Sequence, residues 1–226
     1  MSARTKEAQY EDCLRIAEEV GVARFGVMSN QVWHEDPKRL AFVLARYKFV
    51  AKMLSGSEKV LEVGCADAFA TRIVQQEVGE VHAIDIDPVF IADVESRMSP
   101  DWPIDVAVHD ILTGPYREGF DAAYSLDVLE HIPVDDEDCF VANIAASLRP
   151  HGVLVVGMLS LASQAHVSPQ SRVGHINCKH APDLEALMRR HFHNVFTFSM
   201  NDEVVHTGFW PMAHYYLALC CAKREE

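Results

Sequence analysis

Residues 59–67 read KVLEVGCAD, and this stretch decides the fold. An apolar strand, residues 60–63, ends in the small-residue turn 64–66, and a helix-like run, residues 69–78, follows it. A strand, a tight turn and a helix in this order bring backbone N–H groups and a helix N-terminus to a polar ligand in α/β proteins. Glu62, just before the turn, would repel a phosphate but can accept hydrogen bonds from an ammonium group or a ribose. The turn therefore predicts a nucleoside ligand that lacks a pyrophosphate.

Strand signals alternate with helix signals along the chain. The predicted strands are seven in number: 59–64, 81–85, 104–108, 120–125, 152–158, 194–200 and 212–221. Helices are predicted between the earlier strands, at about 68–78, 88–98 and 136–148. This alternation indicates an α/β fold with a largely parallel sheet. We expect a doubly wound, Rossmann-like mixed seven-stranded sheet with helices on both faces.

The chain divides by pattern into two parts. Helical patterns at residues 5–20 and 36–54, separated by an irregular stretch at 21–30, predict that residues 1–57 form an N-terminal helical lid or cap. Residues 58–226 are predicted to form the ligand-binding domain. Within it, residues 160–180 lack periodicity, and a loop of this length in a compact domain is usually functional. We expect this loop to contact the substrate.

The composition narrows the classes of partner. The net charge of −13 argues against nucleic acid and anionic membrane surfaces, which both favour a positive protein surface. No run of about 18 apolar residues and no signal-peptide core are present, so we expect a cytoplasmic protein. The six cysteines form no C-x-x-C pair, which argues against a zinc site or disulfide framework. A small-molecule substrate and a monomer or homodimer are the expectations.

Acidic residues stand where the predicted parallel strands end, which is the edge where such sheets bind ligands. Asp85 follows the second strand, 21 positions after Gly64, a spacing at which an acid meets ribose hydroxyls in dinucleotide folds. Asp110 follows the third strand, where its carboxylate can accept from an exocyclic amine while Ile111 lies against a base. The fourth strand ends in residues 124–127. The strand ends together predict a nucleoside site.

These motifs, taken in order, resemble those of the class I S-adenosylmethionine-dependent methyltransferases. The resemblance is to the small-molecule branch that includes the ubiquinone-biosynthesis O-methyltransferases. It covers about residues 58–158 and rests on five segments: 60–65, 84–87, 109–111, 120–131 and 148–154. The resemblance implies S-adenosylmethionine as methyl donor and S-adenosylhomocysteine as product.

The resemblance also implies a set of donor contacts. The turn Gly64, Cys65 and Ala66 would lie under the methionine part of the donor, and Glu62 is expected among the donor contacts. Asp85 would hold the ribose and Ile86 would pack on the adenine. Asp110 and Ile111 would bracket the adenine amine, and the Leu126 region would lie near the methionyl group. Arg39 would reach the methionine carboxylate, and Arg46 competes for that role.

The turn departs from the family pattern, which usually reads Gly-x-Gly-x-Gly. Ala66 and Ala68 stand where glycines are usual. If either position requires a positive φ, alanine costs about 1 kcal/mol or more there. The turn survives without this cost if both φ values are negative.

Two histidines are the candidate catalytic residues. His175, in the 160–180 loop, is the predicted base that removes a proton from the acceptor, with Asn177 orienting that acceptor. His131 is expected to line the methyl-transfer cleft. Asp127, Glu130 and His131 also resemble a patch that binds a divalent cation in some ubiquinone methyltransferases, but many relatives carry it without metal, so no metal is predicted.

The sequence thus predicts a methyltransferase for a small acceptor, with oxygen as the favoured methylated atom. Arg172, Lys179 and His180 would suit an acidic group on that acceptor, such as that of a sugar acid. An amine acceptor and a catalytically inactive S-adenosylmethionine-binding protein are the alternatives. A nicotinamide-dependent reductase is disfavoured, because only Gly64 of its Gly-x-Gly-x-x-Gly turn is present.

Overall fold

The computed structural model describes residues 4–167 and 169–225, without the side chains of residues 169–171. One sheet contains eight strands: β1 (Lys59–Val63), β2 (Glu80–Asp85), β3 (Asp105–Val108), β4 (Phe120–Leu126), β5 (Leu148–Leu159), β6 (Phe192–Asn201), β7 (Val204–His206) and β8 (Tyr215–Lys223). Their order across the sheet is β3-β2-β1-β4-β5-β8-β6-β7. The α/β class and the mixed sheet predicted from the sequence are confirmed. The eighth strand, β7, is a three-residue hairpin partner of β6 that the sequence did not signal.

The strand order reverses between β1 and β4, which are parallel neighbours. Strands β1 to β5 all run parallel, whereas β8 inserts antiparallel between β5 and β6. At such a reversal the connections leave the sheet in opposite directions, which opens a crevice beyond the carboxyl ends of the strands. The candidate site lies at this crevice.

The described α-helices are α1 (Glu11–Glu19), α2 (Val27–Glu35), α3 (Lys38–Met53), α4 (Thr71–Gln75), α5 (Pro88–Arg97), α6 (Glu137–Ser147), α7 (Pro169–Gly174) and α8 (Ala181–His191). Helix α5 begins as the sequence predicts, with Pro88 in its first turn and the Asp87 carboxylate accepting from Val89 N at 2.8 Å. Helix α4 is shorter than the predicted 68–78, because the preceding turn continues to Ala70. Helix α2 begins at Val27, so residues 27–30 are helical although the sequence predicts an irregular stretch at 21–30.

Successive side chains of each strand point to opposite faces of the sheet, and they form two separate apolar layers. Leu61 and Val63 of β1 face α6 and α8 in one buried cluster, and Val60 faces α3 and α4 in another. Tyr47 and Val50 of α3 belong to the second cluster, so this helix packs directly on the sheet. Within the described ranges, the chain has no helix with the length and apolar character needed to cross a membrane.

Candidate active site

Three residues of the turn after β1 have left-handed backbone conformations. Gly64 has φ +79°, and Ala66 and Ala68 have φ +45° and +48°. A Cβ at position 64 would lie 2.2 Å from Val128 Cγ2, so only glycine fits there. The two alanines therefore do not have the negative φ values that would spare the turn this cost. Each alanine carries about 1–2 kcal/mol of left-handed strain.

Hydrogen bonds from the neighbouring strand hold this strained turn in place. Gly64 N and Cys65 N both donate to Ile84 O, at 2.8 and 3.0 Å. Ala66 N donates to Asp85 Oδ2 at 2.8 Å. The surrounding structure therefore fixes the turn beside the end of β2, as strained functional turns require.

Helix α2 lies against the same turn through Asp67, a contact that the sequence did not predict. Ser29 N donates to Asp67 Oδ2 at 2.6 Å, and Ser29 Oγ lies 3.1 Å from Asp67 Oδ1. The Phe25 ring stacks edge-on against Phe69, with centroids 5.0 Å apart. The segment before α3 is thereby tied to the turn.

Asp85 and Ile86 present different surfaces at the end of β2. Asp85 is half-buried, and besides Ala66 N it accepts from Asp87 N at 2.9 Å. Each carboxylate oxygen keeps a further lone pair for a hydroxyl donor. Ile86 is 65% exposed although it directly follows a buried strand. An exposed apolar side chain beside a rigid carboxylate matches the two halves of a nucleoside.

Glu62 faces the helix layer. It is 1% exposed, and its two carboxylate oxygens accept from Tyr47 Oη at 2.7 Å and Thr71 Oγ1 at 2.6 Å. Burial raises the pKa of Glu62 to about 7, against the hydrogen bonds from these hydroxyls, which lower it. Glu62 thus joins α3 and α4 beneath the turn, and its side chain is not at the surface of the crevice.

Three other predicted donor contacts have buried side chains. Cys65, Ile111 and Leu126 are 2%, 5% and 6% exposed and pack in the apolar clusters. Only their main chains can line a donor site. Asp110 is half-buried, and its carboxylate caps the short helix Ile111–Thr113 by accepting from Leu112 N at 2.9 Å.

The two candidate arginines occupy different environments. Arg46 is buried, its Nη1 lies 2.7 and 2.6 Å from the two Asp127 oxygens, and its guanidinium lies 3.8 Å from the Tyr215 ring centroid. Arg39 is exposed, and no described carboxylate lies within ion-pair distance of it. Arg46 is therefore committed to Asp127, whereas Arg39 has no such partner among the described residues.

His131 and His175 meet at the end of β4. Their ring centroids are 5.2 Å apart. His131 Nδ1 lies 2.8 Å from Gly174 O, and His175 Nδ1 lies 3.0 Å from Gln164 Oε1. Both partners are oxygen acceptors, so both Nδ1 atoms carry the proton and each Nε2 keeps its lone pair in the neutral ring.

Burial lowers the pKa of His175, and the neighbouring His131 and Arg39 lower it further, whereas Asp127 acts in the opposite direction. His175 is therefore neutral near pH 7, the form that can accept a proton. Sequence reasoning missed Gln164, since a glutamine in an aperiodic loop carries no pattern that predicts its partner.

Glu130 completes this group. One carboxylate oxygen of Glu130 and one ring nitrogen each of His131 and His175 lie within 4.8 Å of one another. The Glu130 side chain is fully buried, and no hydrogen-bond donor from the described ranges reaches either oxygen. Burial raises the pKa of Glu130, and the nearby Asp127 raises it further. Two imidazoles and a carboxylate could hold a divalent cation, but Asp127 is engaged with Arg46 and does not join them.

The predicted acceptor loop is anchored to the sheet by its backbone. Ile176 N and Asn177 N both donate to Glu130 O, at 2.9 and 3.0 Å. Asn177 is buried. Its Nδ2 donates to Glu137 Oε2 at 3.0 Å, and its Oδ1 accepts from Lys179 Nζ at 2.9 Å. The expectations that Asn177 orients an acceptor and that Lys179 is free for an acidic group are therefore wrong. Residue 168 and the side chains of 169–171 in this loop lie outside the described residues.

Comparison with known proteins agrees with this geometry. A family model described as a methyltransferase domain matches residues 60–152. The match covers less than half of this chain, and residues 60–152 are similar to a methyltransferase domain. The resemblance predicted from the motifs is therefore confirmed, and the matched segment contains the turn, Asp85, Asp110 and His131.

The individual relatives have low sequence identity to this chain. A ubiquinone biosynthesis O-methyltransferase of Xanthomonas axonopodis pv. citri is 26% identical over 152 residues, which cover 61% of this chain and 59% of that protein. The N-methyltransferase NodS of Bradyrhizobium japonicum WM9, solved with S-adenosyl-L-homocysteine, has a TM-score of 0.61 at 21% identity and covers 86% of this chain and 91% of its own. An S-adenosylmethionine-dependent methyltransferase of Clostridium acetobutylicum has a TM-score of 0.64 at 10% identity, covering 94% and 98%. These structures share the fold of the methyltransferase domain.

Proposed function

We propose that this protein transfers a methyl group from S-adenosylmethionine to an oxygen of a small acceptor. The observation that carries the proposal is the pairing of a nucleoside-shaped crevice, at Asp85 and Ile86, with a neutral histidine base at the end of β4. The family of the domain and the ubiquinone relatives support the donor and favour oxygen. The acceptor is a small molecule, since the net charge of −13 disfavours nucleic acid.

The donor site is assigned from the geometry of the strand ends. Main-chain atoms of Gly64, Cys65 and Ala66 lie under the methionine part, and Asp85 accepts from the ribose hydroxyls. Ile86 packs on the adenine. The other donor contacts are Asp110, the backbone of Ile111 and Leu126, and Arg39 for the methionine carboxylate. Glu62 acts indirectly, because its side chain holds α3 and α4 beneath the turn.

Within the predicted N-terminal segment, residues 1–57, the part that contains α2 acts as the lid of this site, whereas α3 packs on the sheet. Support comes from the contacts of α2, where Ser29 holds Asp67, and from Val27 N, which donates to Asp93 Oδ2 at 3.1 Å. These bonds place the segment against the turn that would carry the donor. A lid excludes water, which strengthens electrostatic interactions inside the site.

The reaction is an in-line displacement at the sulfonium methyl carbon. His175 Nε2 takes the proton from the acceptor hydroxyl, and the oxygen forms a bond to the methyl carbon as the carbon–sulfur bond breaks. The sulfur keeps the electron pair, which gives neutral S-adenosylhomocysteine, and His175 ends as an imidazolium. The site's contribution is alignment, desolvation and general-base catalysis, the last of which is worth about 10²–10⁴-fold.

Calorimetry and an acceptor screen test the proposal. S-adenosylhomocysteine and S-adenosylmethionine should bind, and small hydroxyl compounds should release the demethylated donor product. His175→Ala should lower turnover by about 10²-fold or more with donor affinity unchanged. Absence of donor binding at millimolar concentration would refute the function. Equal loss of turnover and of donor affinity in His175→Ala would refute the base.

A metal-assisted variant of the reaction is the second candidate, because Glu130, His131 and His175 converge within 4.8 Å. A cation there would lower the pKa of the acceptor hydroxyl. The reaction would then not need a free imidazole base. Turnover that a chelator abolishes and one divalent cation restores would favour this variant. Turnover that survives chelation favours the metal-free base.

A further inference from the structure

The side chain of Gln164 has a defined orientation. It lies in the short helix Ala162–Ala165, and its Nε2 faces two oxygens, Ser160 O at 3.4 Å and Ser163 Oγ at 3.3 Å. A backbone carbonyl only accepts hydrogen bonds, so the amide N–H₂ must face Ser160. The opposite assignment would place the Gln164 carbonyl oxygen against the Ser160 carbonyl. Gln164 Oε1 therefore faces His175.

The segment that carries Gln164 is fixed at its start. Ser160 is buried, its Oγ donates to Ala213 O at 2.8 Å, and its N donates to His214 O at 2.9 Å. Leu161 N donates to Lys179 O at 2.8 Å. Gln164 thus presents its carbonyl from a segment that is bonded on both sides, which makes it able to orient a neighbouring ring.

This orientation selects one tautomer of His175. An amide oxygen 3.0 Å from Nδ1 requires the proton on Nδ1, so the lone pair is on Nε2. Without that acceptor, the proton can occupy Nε2, and the ring then has no lone pair on that nitrogen to take a proton. The charged and titratable neighbours of His175 are Glu130, His131, Asp127 and Arg39, and none of them is bonded to its Nδ1 in the described structure.

We propose that Gln164 is a positioning residue that holds His175 in the Nδ1–H tautomer, so that Nε2 is the acceptor of the substrate proton. The proposal rests on the proposed function for its catalytic meaning. Outer partners that orient a histidine in this way are worth about 10–100-fold when removed from metal-ligating histidines, and we expect a loss of that size.

The test uses the full chain, ¹⁵N-labelled at histidine and saturated with S-adenosylhomocysteine. Long-range ¹⁵N–¹H spectra should show His175 as the Nδ1–H tautomer in the native protein, with the resonance assigned by its loss in His175→Ala. Gln164→Leu removes the acceptor and should shift His175 towards the Nε2–H tautomer. Gln164→Glu keeps the acceptor and adds a negative charge, so it should raise the pKa of His175 by about 1 or more. The exposed Gln76→Leu is the matched control.

Activity with the acceptor found in the screen supplies the second readout. Gln164→Leu should lower kcat by about 10–100-fold with S-adenosylhomocysteine affinity unchanged. Gln164→Glu should restore most of kcat at high pH and move the acid limb of the pH profile upwards. A merely structural role would lower donor affinity or thermal stability in both variants and leave the tautomer unchanged.

Two results separate the possible failures. An Nε2–H tautomer in the native protein, or a tautomer unchanged in Gln164→Leu, overturns the positioning role whatever the activity. Full turnover in His175→Ala overturns the proposed base, although the tautomer measurement would stand.

Discussion

Replacing the strained alanines of the turn by glycine should separate backbone strain from packing. At Ala66, with φ +45°, glycine removes about 1–2 kcal/mol of left-handed strain but adds about 0.4–1 kcal/mol of chain entropy to the unfolded state. Ala66 is half-buried and belongs to none of the apolar clusters. We expect Ala66→Gly to raise the free energy of unfolding by about 0.5–1 kcal/mol.

Two neighbouring alanines serve as matched controls. Ala68 has φ +48° but packs with Ile91 and Val94, so Ala68→Gly also loses a buried methyl worth about 0.8 kcal/mol and should be close to neutral. Ala70 has φ −79° and is buried, so glycine there relieves nothing. Ala70→Gly should therefore cost about 1–2 kcal/mol.

Urea and thermal unfolding of the three variants measure this order. For a chain of this size, 1 kcal/mol corresponds to about 2–4 °C in Tm. Calorimetry of Ala66→Gly with S-adenosylhomocysteine should show unchanged affinity, because the Ala66 N–H that donates to Asp85 is retained. A loss of stability in Ala66→Gly equal to that in Ala70→Gly would refute the strain argument.

Three further perturbations test the site. Burial raises the pKa of Glu62 to about 7 from 4.5, so the folded chain retains a proton that the unfolded chain loses. The stabilising contribution of Glu62 is therefore complete below pH 4.5 and is lost as the pH rises to about 7. Glu62→Gln should therefore gain stability relative to the native protein between pH 5 and pH 8, measured by urea midpoints at about unit steps, and a constant difference would contradict the assignment. Gly64→Ala should destabilise by more than about 1–2 kcal/mol because left-handed strain is added to the clash with Val128, and Val128→Ala in the same chain should recover part of the loss; no recovery would locate the clash elsewhere. Arg39→Ala should weaken S-adenosylhomocysteine binding by about tenfold or more in calorimetry, and an unchanged affinity would exclude it from the donor carboxylate.

The parallel half of the fold was predictable because its signals are local. The strand before Gly64 and the acids that end the next two strands are each determined by a few neighbouring residues, and their order along the chain fixes the crevice. The positive φ values of Ala66 and Ala68 could not be predicted, since alanine favours right-handed backbone and only tertiary contacts impose the other region.

The residues around His175 were predictable only in part. His175 could be proposed from its chemistry and its place in a long loop. Its partner Gln164 lies 11 residues away in the same aperiodic loop. Asn177 and Lys179 were misassigned because their partner, Glu137, belongs to α6, 40 residues earlier for Asn177. A polar residue's partner across such a separation is decided by packing and leaves no local pattern.

The backbone bonds from Ile176 and Asn177 to Glu130 O have a consequence for how this protein can change. Because main-chain groups hold the loop, its exposed side chains, such as Val173 and Ile176, can be replaced without moving His175. Under the proposed function, new acceptors can be accommodated by substitution along this rim while His175 keeps its position beside the donor site. In the proposed reaction the loop separates the choice of acceptor from the geometry of methyl transfer, and this makes it a natural place to randomise residues when an acceptor is sought.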